Sequence, residues 1–228
     1  MFMPRDTLTV GQIVTATVEM LDADGLEGLN MRALGQRLGS AATAVYWHVG
    51  SKDNLLALAA DRAWNEIELP DPATDGWRAA AVTTATELYA MLARHPWLVQ
   101  VFGAHPVVSR AKFRHDDHSL AIFEAGGVSG DAADQAATAV FTYVLGNAVG
   151  LAAAASFERA DRTDADRADY MRRAVQVARE FPHIRSRLDS PAAGFAATPE
   201  DSFRIGLDAL LTGLTAALVK DRADRAPR

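Results

Sequence analysis

The spacing of apolar residues predicts that the chain begins with an amphipathic helix. Apolar side chains recur every three or four residues, at Val10, Ile13, Val14, Val18 and Leu21. Thr9 and Gln12 have the spacing of a capping box, which places the start of the helix at Thr9. Glycine readily adopts the left-handed conformation that ends a helix, so Asp24-Gly25 is the expected end.

Two shorter helices are predicted next. Asn30 is a good N-cap for a second helix, which carries Leu34 toward the same core. Gly39 breaks that helix, and a third begins about three residues later and is barely two turns long. Ala41 occupies the position where a polar cap is usual, so capping falls to Ser40 or is lost. A helix this short is marginal in water and must be held by its neighbours.

The rest of the chain is also predicted to be helical. A fourth helix runs from Ser51 to about Ile67, and the Pro-containing stretch 70–76 is typical of a linker. The linker separates an N-terminal domain, residues 1–68, from a C-terminal domain, residues 69–228. Further helices are expected at about 77–94, 97–103, 107–125, 131–157, 167–181 and 199–220. No segment has the alternating period of a strand, so the predicted fold class is all-α.

The composition is that of a globular protein without disulfides. With 49% hydrophobic and 23% charged residues, the 228-residue chain can bury a sizeable core. It has no cysteine, which excludes disulfides and thiolate metal ligands. The N-terminal residues lack the apolar segment of a signal peptide, so the cytoplasm is the expected location.

The distribution of charge matters more than its total. The net charge of −6 argues against nucleic acid, because neutralising phosphates supplies much of the affinity for DNA. Between Glu27 and Asp53, however, no residue is acidic, whereas Arg32, Arg37 and Lys52 are basic. This window covers the short helix after the Gly-containing turn, the arrangement that a helix-turn-helix places in the major groove. A merely solvated surface is the alternative, but the coincidence favours DNA.

The motifs of this region resemble those of a known family. Leu38-Gly39, Val45-Tyr46-Trp47-His48-Val49 and Ser51-Lys52-Asp53 with Leu55-Leu56 resemble the DNA-binding signature of the tetracycline-repressor (TetR) family, and 25–34 resembles the segment before it. Arg94-His95-Pro96-Trp97, Tyr143-Val144-Leu145-Gly146 and 206–211 more weakly resemble its tetracycline-repressor type of C-terminal domain. The resemblance implies a homodimeric, ligand-responsive transcriptional regulator, more often a repressor than an activator.

The resemblance also implies which residues contact DNA. These are Arg32, Ala42, Thr43, Ala44, Tyr46, Trp47, His48 and Lys52. The expected partner is a palindromic operator, whose successive major grooves meet two recognition helices about 34–36 Å apart. Because residues 42–44 are small, they offer mainly methyl contacts, and part of the readout is expected to come from DNA shape.

A long uncharged segment predicts the dimer interface. Residues 135–157 carry no charge and are long enough to cross a bilayer. Alanines and scattered polar residues make a membrane span the less favoured interpretation, and Gly146 and Gly150 instead allow two helices to approach closely. In the resembled family this helix and the last one build a four-helix bundle between two copies. The matching leucine stripe on the last helix is Leu207, Leu210, Leu211, Leu214 and Leu218.

Histidine and carboxylate patterns give weaker indications. His115 and His118 share a helix face, yet the polar run 115–118 is more typical of a solvated turn than of a metal site. His95 is expected to cap carbonyls at a helix end. The sequence has no phosphate-binding loop and no nucleophile elbow, so we expect no metal, no cofactor and no enzyme. A helical ligand-binding protein without DNA binding and a small α-helical enzyme are the alternatives.

The expected effector follows from a departure from the resembled proteins. Tetracycline repressors hold a drug-bound magnesium with a histidine before a short turn, whereas this chain has Val101 there, before 102–106. A valine side chain cannot coordinate a hard cation. We therefore expect a largely hydrophobic small molecule, bound without metal in a cavity with few polar anchors. The candidate lining residues, any of which could be ordinary core, are Glu87, Phe102, His105, Phe113, Phe141, Tyr143 and Asn147.

Overall fold

A computed structural model describes residues 8–104, 108–160, 163–189 and 198–225, which form twelve α-helices and no strand. The first four are α1 (Val10–Gly28), α2 (Met31–Arg37), α3 (Ala42–Val49) and α4 (Lys52–Trp64). They are followed by α5 (Pro72–Asp75), α6 (Trp77–Arg94), α7 (Trp97–Ala104), α8 (Arg110–Ala125), α9 (Asp131–Arg159), α10 (Asp164–Ala178), α11 (Pro182–Leu188) and α12 (Pro199–Arg225). The all-α prediction is confirmed.

Local signals set the starts of the first three helices. Thr9 and Gln12 form the predicted capping box, and the Asn30 side chain accepts a hydrogen bond from the Arg32 amide at 2.8 Å. Ala41 is the N-cap of α3 and offers no side-chain hydrogen bond, so of the two outcomes considered the cap is lost. Gly25 has a φ of 70°, as expected for the end of the first helix, although one more turn follows it.

The predicted C-terminal helices differ from the observed ones mainly at proline and Ser/Thr positions. The expected linker holds the single turn α5, whose start is capped by Asp71. Thr163 caps α10, which therefore begins before the predicted residue 167. The helices are interrupted just before Pro182, as predicted, and Pro182 then occupies the first turn of α11, where its missing N–H is not needed.

Two hydrophobic cores share α1 and α4. The smaller core lies among α1–α4 and includes Ile13, Leu34 and Val45, all fully buried. The larger core joins the other faces of α1 and α4 to the C-terminal helices. Leu55 and Leu56, neighbours in α4, are both buried but belong to different cores. Any movement of α4 must therefore act on both parts of the molecule.

The long helix α9 is buried on one face and exposed on the other. Val144 and Ala148 are completely buried, whereas Val149 is 52% exposed. A Cβ added at Gly146 or Gly150 would meet nothing within 4 Å. Among the described residues, α9 is the one helix whose length and composition would suit a membrane span. The sequence predicts that this helix lies in a dimer interface, and its exposed apolar face is the surface available for one.

The last helix packs on α9 through its own leucines. Leu207 and Leu211 are buried in the core of the same protomer, so these two positions of the predicted stripe do not face outward. Leu210 and Leu214 are half-buried, and the side chain of Leu218 lies outside the described residues. The exposed residues of α12 therefore lie on the other side of the helix.

Candidate functional site

The turn between α2 and α3 depends on two glycines. A Cβ at Gly35 would lie 2.9 Å from the amide nitrogen of Ala42, which is closer than side chains tolerate. The Gly35 carbonyl also accepts a hydrogen bond from the Ser40 amide at 2.8 Å. Gly39 has a φ of 61°, a left-handed conformation that favours glycine. These contacts fix how closely α3 crosses α2.

Helix α3 is held from one side and presents the other. Val45 and Val49 are 0% and 2% exposed, and they anchor the helix in the smaller core. On the opposite side Thr43 and Tyr46 are exposed, and Trp47 is 82% exposed. Exposed apolar side chains that lie together commonly mark a binding surface, so this face of α3 is a candidate contact surface.

The other predicted DNA contacts surround this face. Arg32 is exposed on α2, and Ala42 and Ala44 are half-buried at the start of α3. The ring of His48 packs edge-on against Trp47, with centroids 4.9 Å apart. All eight predicted residues therefore lie on α2, on α3 or at the first residue of α4.

Two of the basic side chains in this region have protein partners. Lys52 donates a hydrogen bond from Nζ to the carbonyl of Leu29 at 2.9 Å. Arg37 forms an ion pair with Glu19 of α1 at 2.6 Å, which reduces the basic excess counted along the sequence. Arg32 and Lys52 are both exposed.

A mostly apolar cavity lies between α6, α8 and α9. Its volume is only about 20 Å³, and its walls include Ala81, Thr84, Ala85, His115, Ala137 and Phe141. A wider cavity of about 260 Å³ shares His115, Ser119, Ala137 and Phe141 and has Lys112, Asp116 and Asp134 among its lining residues. Concave, apolar sites with a few polar groups are typical of small-molecule binding.

Three polar atoms in these walls are buried without a hydrogen-bond partner among the described residues. They are Oγ1 of Thr84 and both ring nitrogens of His115, and the two residues are each 4% exposed. Nδ1 of His115 lies 3.7 Å from Oδ1 of Asp116, too far for a hydrogen bond. Asp116 is engaged by Lys112 at 2.6 Å. Burial alone would raise the pKa of Asp116, but His115 and Lys112 hold that pKa below its usual value.

The cavity includes one of the predicted ligand-binding residues. Phe141 lines both cavities. Phe102 is not a lining residue but packs against Phe141, with ring centroids 6.1 Å apart. Phe113 points away and is 62% exposed. His105 lies outside the described residues.

The other three predicted ligand-binding residues lie outside these cavities. The hydroxyl of Tyr143 donates to the carbonyl of Phe203 at 2.9 Å, so it fastens α12 to α9. Asn147 donates to the Tyr143 carbonyl of its own helix at 2.8 Å. Glu87 is half-buried on α6. None of these three side chains lines either cavity.

Sequence reasoning missed His115 and Thr84. The polar run 115–118 is not a solvated turn as a whole, because His115 faces the interior with Ala111 and Ile122 of the same helix. The spacing of 111, 115 and 122 is the helical signal that could have found it. Among the described residues no three His, Asp or Glu side chains form a metal site.

The end of α4 reaches the residues that line the cavity. Trp64 is 1% exposed, and its ring lies edge-on to His115, with centroids 5.0 Å apart. Asp61 accepts hydrogen bonds from Oγ of Ser109 and the amide of Ala111, both at 2.8 Å. The C-terminal half of α4 is therefore tied to the start of α8.

His95 has a different role from the predicted one. Its ring does not cap helix carbonyls; Nδ1 lies 2.7 Å from Asp22 and Nε2 3.2 Å from Glu66. Burial by itself lowers the pKa of His95, but the two carboxylates outweigh burial and raise that pKa above its usual value of 6.5. This prediction was wrong because the partners come from α1 and from the segment just after α4, which are remote in sequence.

Known proteins share both halves of this architecture. The model for bacterial regulatory proteins of the tetR family matches residues 13–59, and that for the tetracyclin repressor-like C-terminal domain matches residues 69–218. The chain is 32% identical to the HTH-type transcriptional repressor DrrR1 of Streptomyces coeruleorubidus, over 98% of this chain and 83% of that protein. The chain belongs to the TetR family.

Solved structures of TetR regulators have the same fold. A TetR transcriptional regulator from Streptomyces coelicolor is 27% identical, covers 92% of this chain and 99% of its own, and superposes with a TM-score of 0.71. The TetR family protein ActR of the same organism, in complex with actinorhodin, is 24% identical, covers 94% and 98%, and has a TM-score of 0.73.

Membership of the TetR family gives each region its function. The chain is a DNA-binding transcriptional regulator that responds to a small molecule and pairs with a second copy. The family consists of transcriptional regulators rather than enzymes. In this TetR regulator α2 and α3 form the helix-turn-helix, and the matched C-terminal domain contains the cavity.

Proposed function

We propose that this TetR regulator is a cytoplasmic, homodimeric repressor that leaves a palindromic operator when a largely hydrophobic molecule fills the cavity between α6, α8 and α9. The contact of Trp64 with His115 carries the proposal. Trp64 ends α4, whose first residue, Lys52, borders the DNA-contact surface. A molecule that displaces His115 would therefore act on the helix that supports α3.

On DNA, α3 provides the sequence readout. Thr43 offers a hydroxyl and a methyl group to base edges, and Ala42 and Ala44 allow the helix to approach closely. Tyr46, Trp47, His48, Arg32 and Lys52 contact the phosphate backbone and set the orientation of the helix. With so few polar groups facing the bases, DNA shape contributes to the choice of operator.

The dimer places two copies of α3 in successive major grooves. Gly146, Gly150 and Val149 form the uncovered face of α9 that meets the same face of a second copy. A two-fold interface uses the same patch on both partners, so a palindromic operator matches its symmetry.

The switch requires the effector to prefer one dimer arrangement. An effector with equal affinity for the DNA-bound and the released arrangement would shift nothing. The cavity wall provides a route to such a preference, because Trp64 touches His115 and lies against Phe141 with ring centroids 6.5 Å apart. The arrangement of α4 that best accommodates the effector is the released one.

No metal takes part in this proposal. Val101 is 1% exposed within the larger core and has no atom that binds a hard cation. We expect tetracycline with magnesium to bind no more tightly in the absence of a chelator than in its presence. Tight, chelator-sensitive binding would contradict the metal-free site.

The experiment that tests the proposal begins with DNA. Duplexes selected from a random pool by the purified protein should contain a palindrome and bind far more tightly than random duplexes at moderate salt. Compounds are then screened for release of that DNA. Equal affinity for selected and random duplexes, or a selected site without two-fold symmetry, would contradict the proposal.

A further inference from the structure

A buried histidine lies where the DNA-binding helices meet the effector domain. His95, in the turn between α6 and α7, is 5% exposed. Its Nδ1 lies 2.7 Å from Oδ1 of Asp22 on α1, and its Nε2 lies 3.2 Å from both carboxylate oxygens of Glu66, just after α4. The indole of Trp97 donates to the same Asp22 oxygen at 2.8 Å, and Arg94 pairs with Glu66 at 3.1 Å. We call these five residues the His95 cluster.

Both ring nitrogens of His95 face groups that only accept hydrogen bonds. An ionised carboxylate has no proton to donate. A neutral imidazole carries one N–H, so it can donate to Asp22 or to Glu66 but not to both. The imidazolium carries an N–H on each nitrogen and donates to the two carboxylates at once. The geometry of the His95 cluster is therefore that of a protonated histidine.

The His95 cluster connects the helices that hold α3 to the domain that carries α9. Val45 of α3 lies in the smaller core together with residues of α1 and α4, so the position of α3 depends on these two helices. Asp22 belongs to α1, and Glu66 follows α4 directly. On the other side of the cluster, Trp97 lies in the larger core together with Val144 of α9. The cluster thus sets how α1 and α4 are placed relative to α9.

We infer that His95 is a positioning residue for operator binding, and that its second ring proton holds Glu66, and with it the end of α4, in the arrangement that fits DNA. A neutral ring keeps at most one of the two hydrogen bonds, so one of the two carboxylates then faces a nitrogen lone pair. With α4 less restrained, the two recognition helices of a dimer must be ordered when they enter successive major grooves, which lowers the affinity. This regulation needs no effector and goes beyond the proposed role of the cavity.

The sign of the pH dependence follows from proton linkage. Burial alone lowers the pKa of His95, but Asp22 and Glu66 raise that pKa above its usual value of 6.5. Below the raised pKa, free and DNA-bound protein both carry the proton, so His95 makes no difference to the affinity. Above the raised pKa, DNA binding takes up a proton. The operator affinity therefore falls as the pH rises, by at most about tenfold per pH unit for each protomer.

The test measures operator affinity as a function of pH. Fluorescence anisotropy of a labelled duplex, selected from a random pool, gives the affinity at constant salt between about pH 6 and about pH 9. The wild-type affinity should fall over this range about threefold or more beyond any fall seen with His95→Gln, whose side chain cannot be protonated. His48 lies on the DNA-contact surface and is present in both proteins, so its effect cancels in the comparison.

Two more variants and a second measurement make the test specific. Calorimetry in buffers of different ionisation enthalpy counts the protons taken up on binding, and His95→Gln should take up fewer, by up to about one per protomer. Asp22→Asn keeps an acceptor for the Trp97 indole but removes one negative charge beside the ring, so the fall in affinity should move to lower pH. The matched control His183→Gln, at an exposed histidine of α11, should behave like the wild type.

Three results overturn the inference. They are the same pH dependence of operator affinity in wild type and His95→Gln, a wild-type affinity that rises with pH relative to that variant, and a fall that Asp22→Asn leaves at the same pH. Tight binding to the selected duplex would show in each case that the proposed function stands while His95 only stabilises the fold.

Discussion

Nδ1 of His95 lies 2.7 Å from Oδ1 of Asp22, across the junction between the DNA-binding helices and the effector domain. The indole of Trp97 donates to the same oxygen at 2.8 Å. On its other side the imidazole meets Glu66, which also pairs with Arg94 at 3.1 Å. The charged groups facing His95 are thus two carboxylates and one guanidinium. A single buried ring thereby joins α1, the segment just after α4 and the turn before α7.

This junction predicts a pH dependence of stability. Because the folded-state pKa of His95 is raised above 6.5, protonated His95 stabilises the fold. That stabilisation is complete below the unfolded pKa of about 6.5 and is lost as the pH rises through the folded pKa. His95→Gln should remove this part of the pH dependence. Urea unfolding of both proteins across this range measures it, with exposed His183→Gln as control, and parallel curves for wild type and His95→Gln would contradict it.

The packing of Gly35 predicts a sensitive position in the helix-turn-helix. Gly35→Ala should destabilise the protein by about 1–3 kcal/mol, because the added methyl group meets the backbone of Ala42. Gly11→Ala is the control: its methyl group would meet only Thr9 at 4.0 Å, so a gain of up to about 1 kcal/mol is expected. Chemical unfolding measures the free energy of unfolding of both variants. Equal changes would show that the turn between α2 and α3 has room for a methyl group.

The face of α9 predicts where the dimer can be weakened. A Cβ added at Gly150 meets nothing within 4 Å in its own protomer, so we expect the side chain of Gly150→Leu to be overpacked against a second copy. The expected cost of overpacking is about 1–3 kcal/mol per site. Sedimentation at decreasing concentration should show earlier dissociation than for Gly11→Leu, an exposed helical glycine elsewhere. An undiminished dimer would place the interface on another surface.

The DNA-contact surface predicts two different kinds of variant. Lys52→Ala should weaken binding to every sequence and reduce the salt slope by about 0.9 for the lost phosphate contact. Thr43→Val should instead change which sequences are preferred. Binding measured over a salt series and a panel of duplexes separates the two effects. A Lys52→Ala slope equal to that of wild type would mean that Lys52 only supports the Leu29 carbonyl.

Local signals could be predicted from the sequence, and long-range partners could not. Thr9 and Asn30 act on amides within three residues, and their caps were found. The partner of His95 lies 73 residues away, so its role depends on packing. In α8 the apolar Phe113 is exposed and the polar His115 is buried, which reverses the usual preference. His115 was therefore missed because a polar residue type predicts an exposed position, whereas its place on the helix is buried.

In the proposed function, a molecule that fills the cavity between α6, α8 and α9 releases DNA. The shared wall offers a test, because Ala137 lines both cavities whereas Ala121 is exposed on the outside of α8. Ala137→Leu should bind operator like the wild type but leave less room for the effector. Ala121→Leu should change neither property.

The most direct measurement is the fluorescence anisotropy of labelled operator during titration with a releasing compound. Wild type and Ala121→Leu should release DNA at the same compound concentration, whereas Ala137→Leu should need about tenfold more, equivalent to about 1.4 kcal/mol of lost affinity. If Ala137→Leu releases DNA at the wild-type concentration, the effector acts from another site and the account is contradicted.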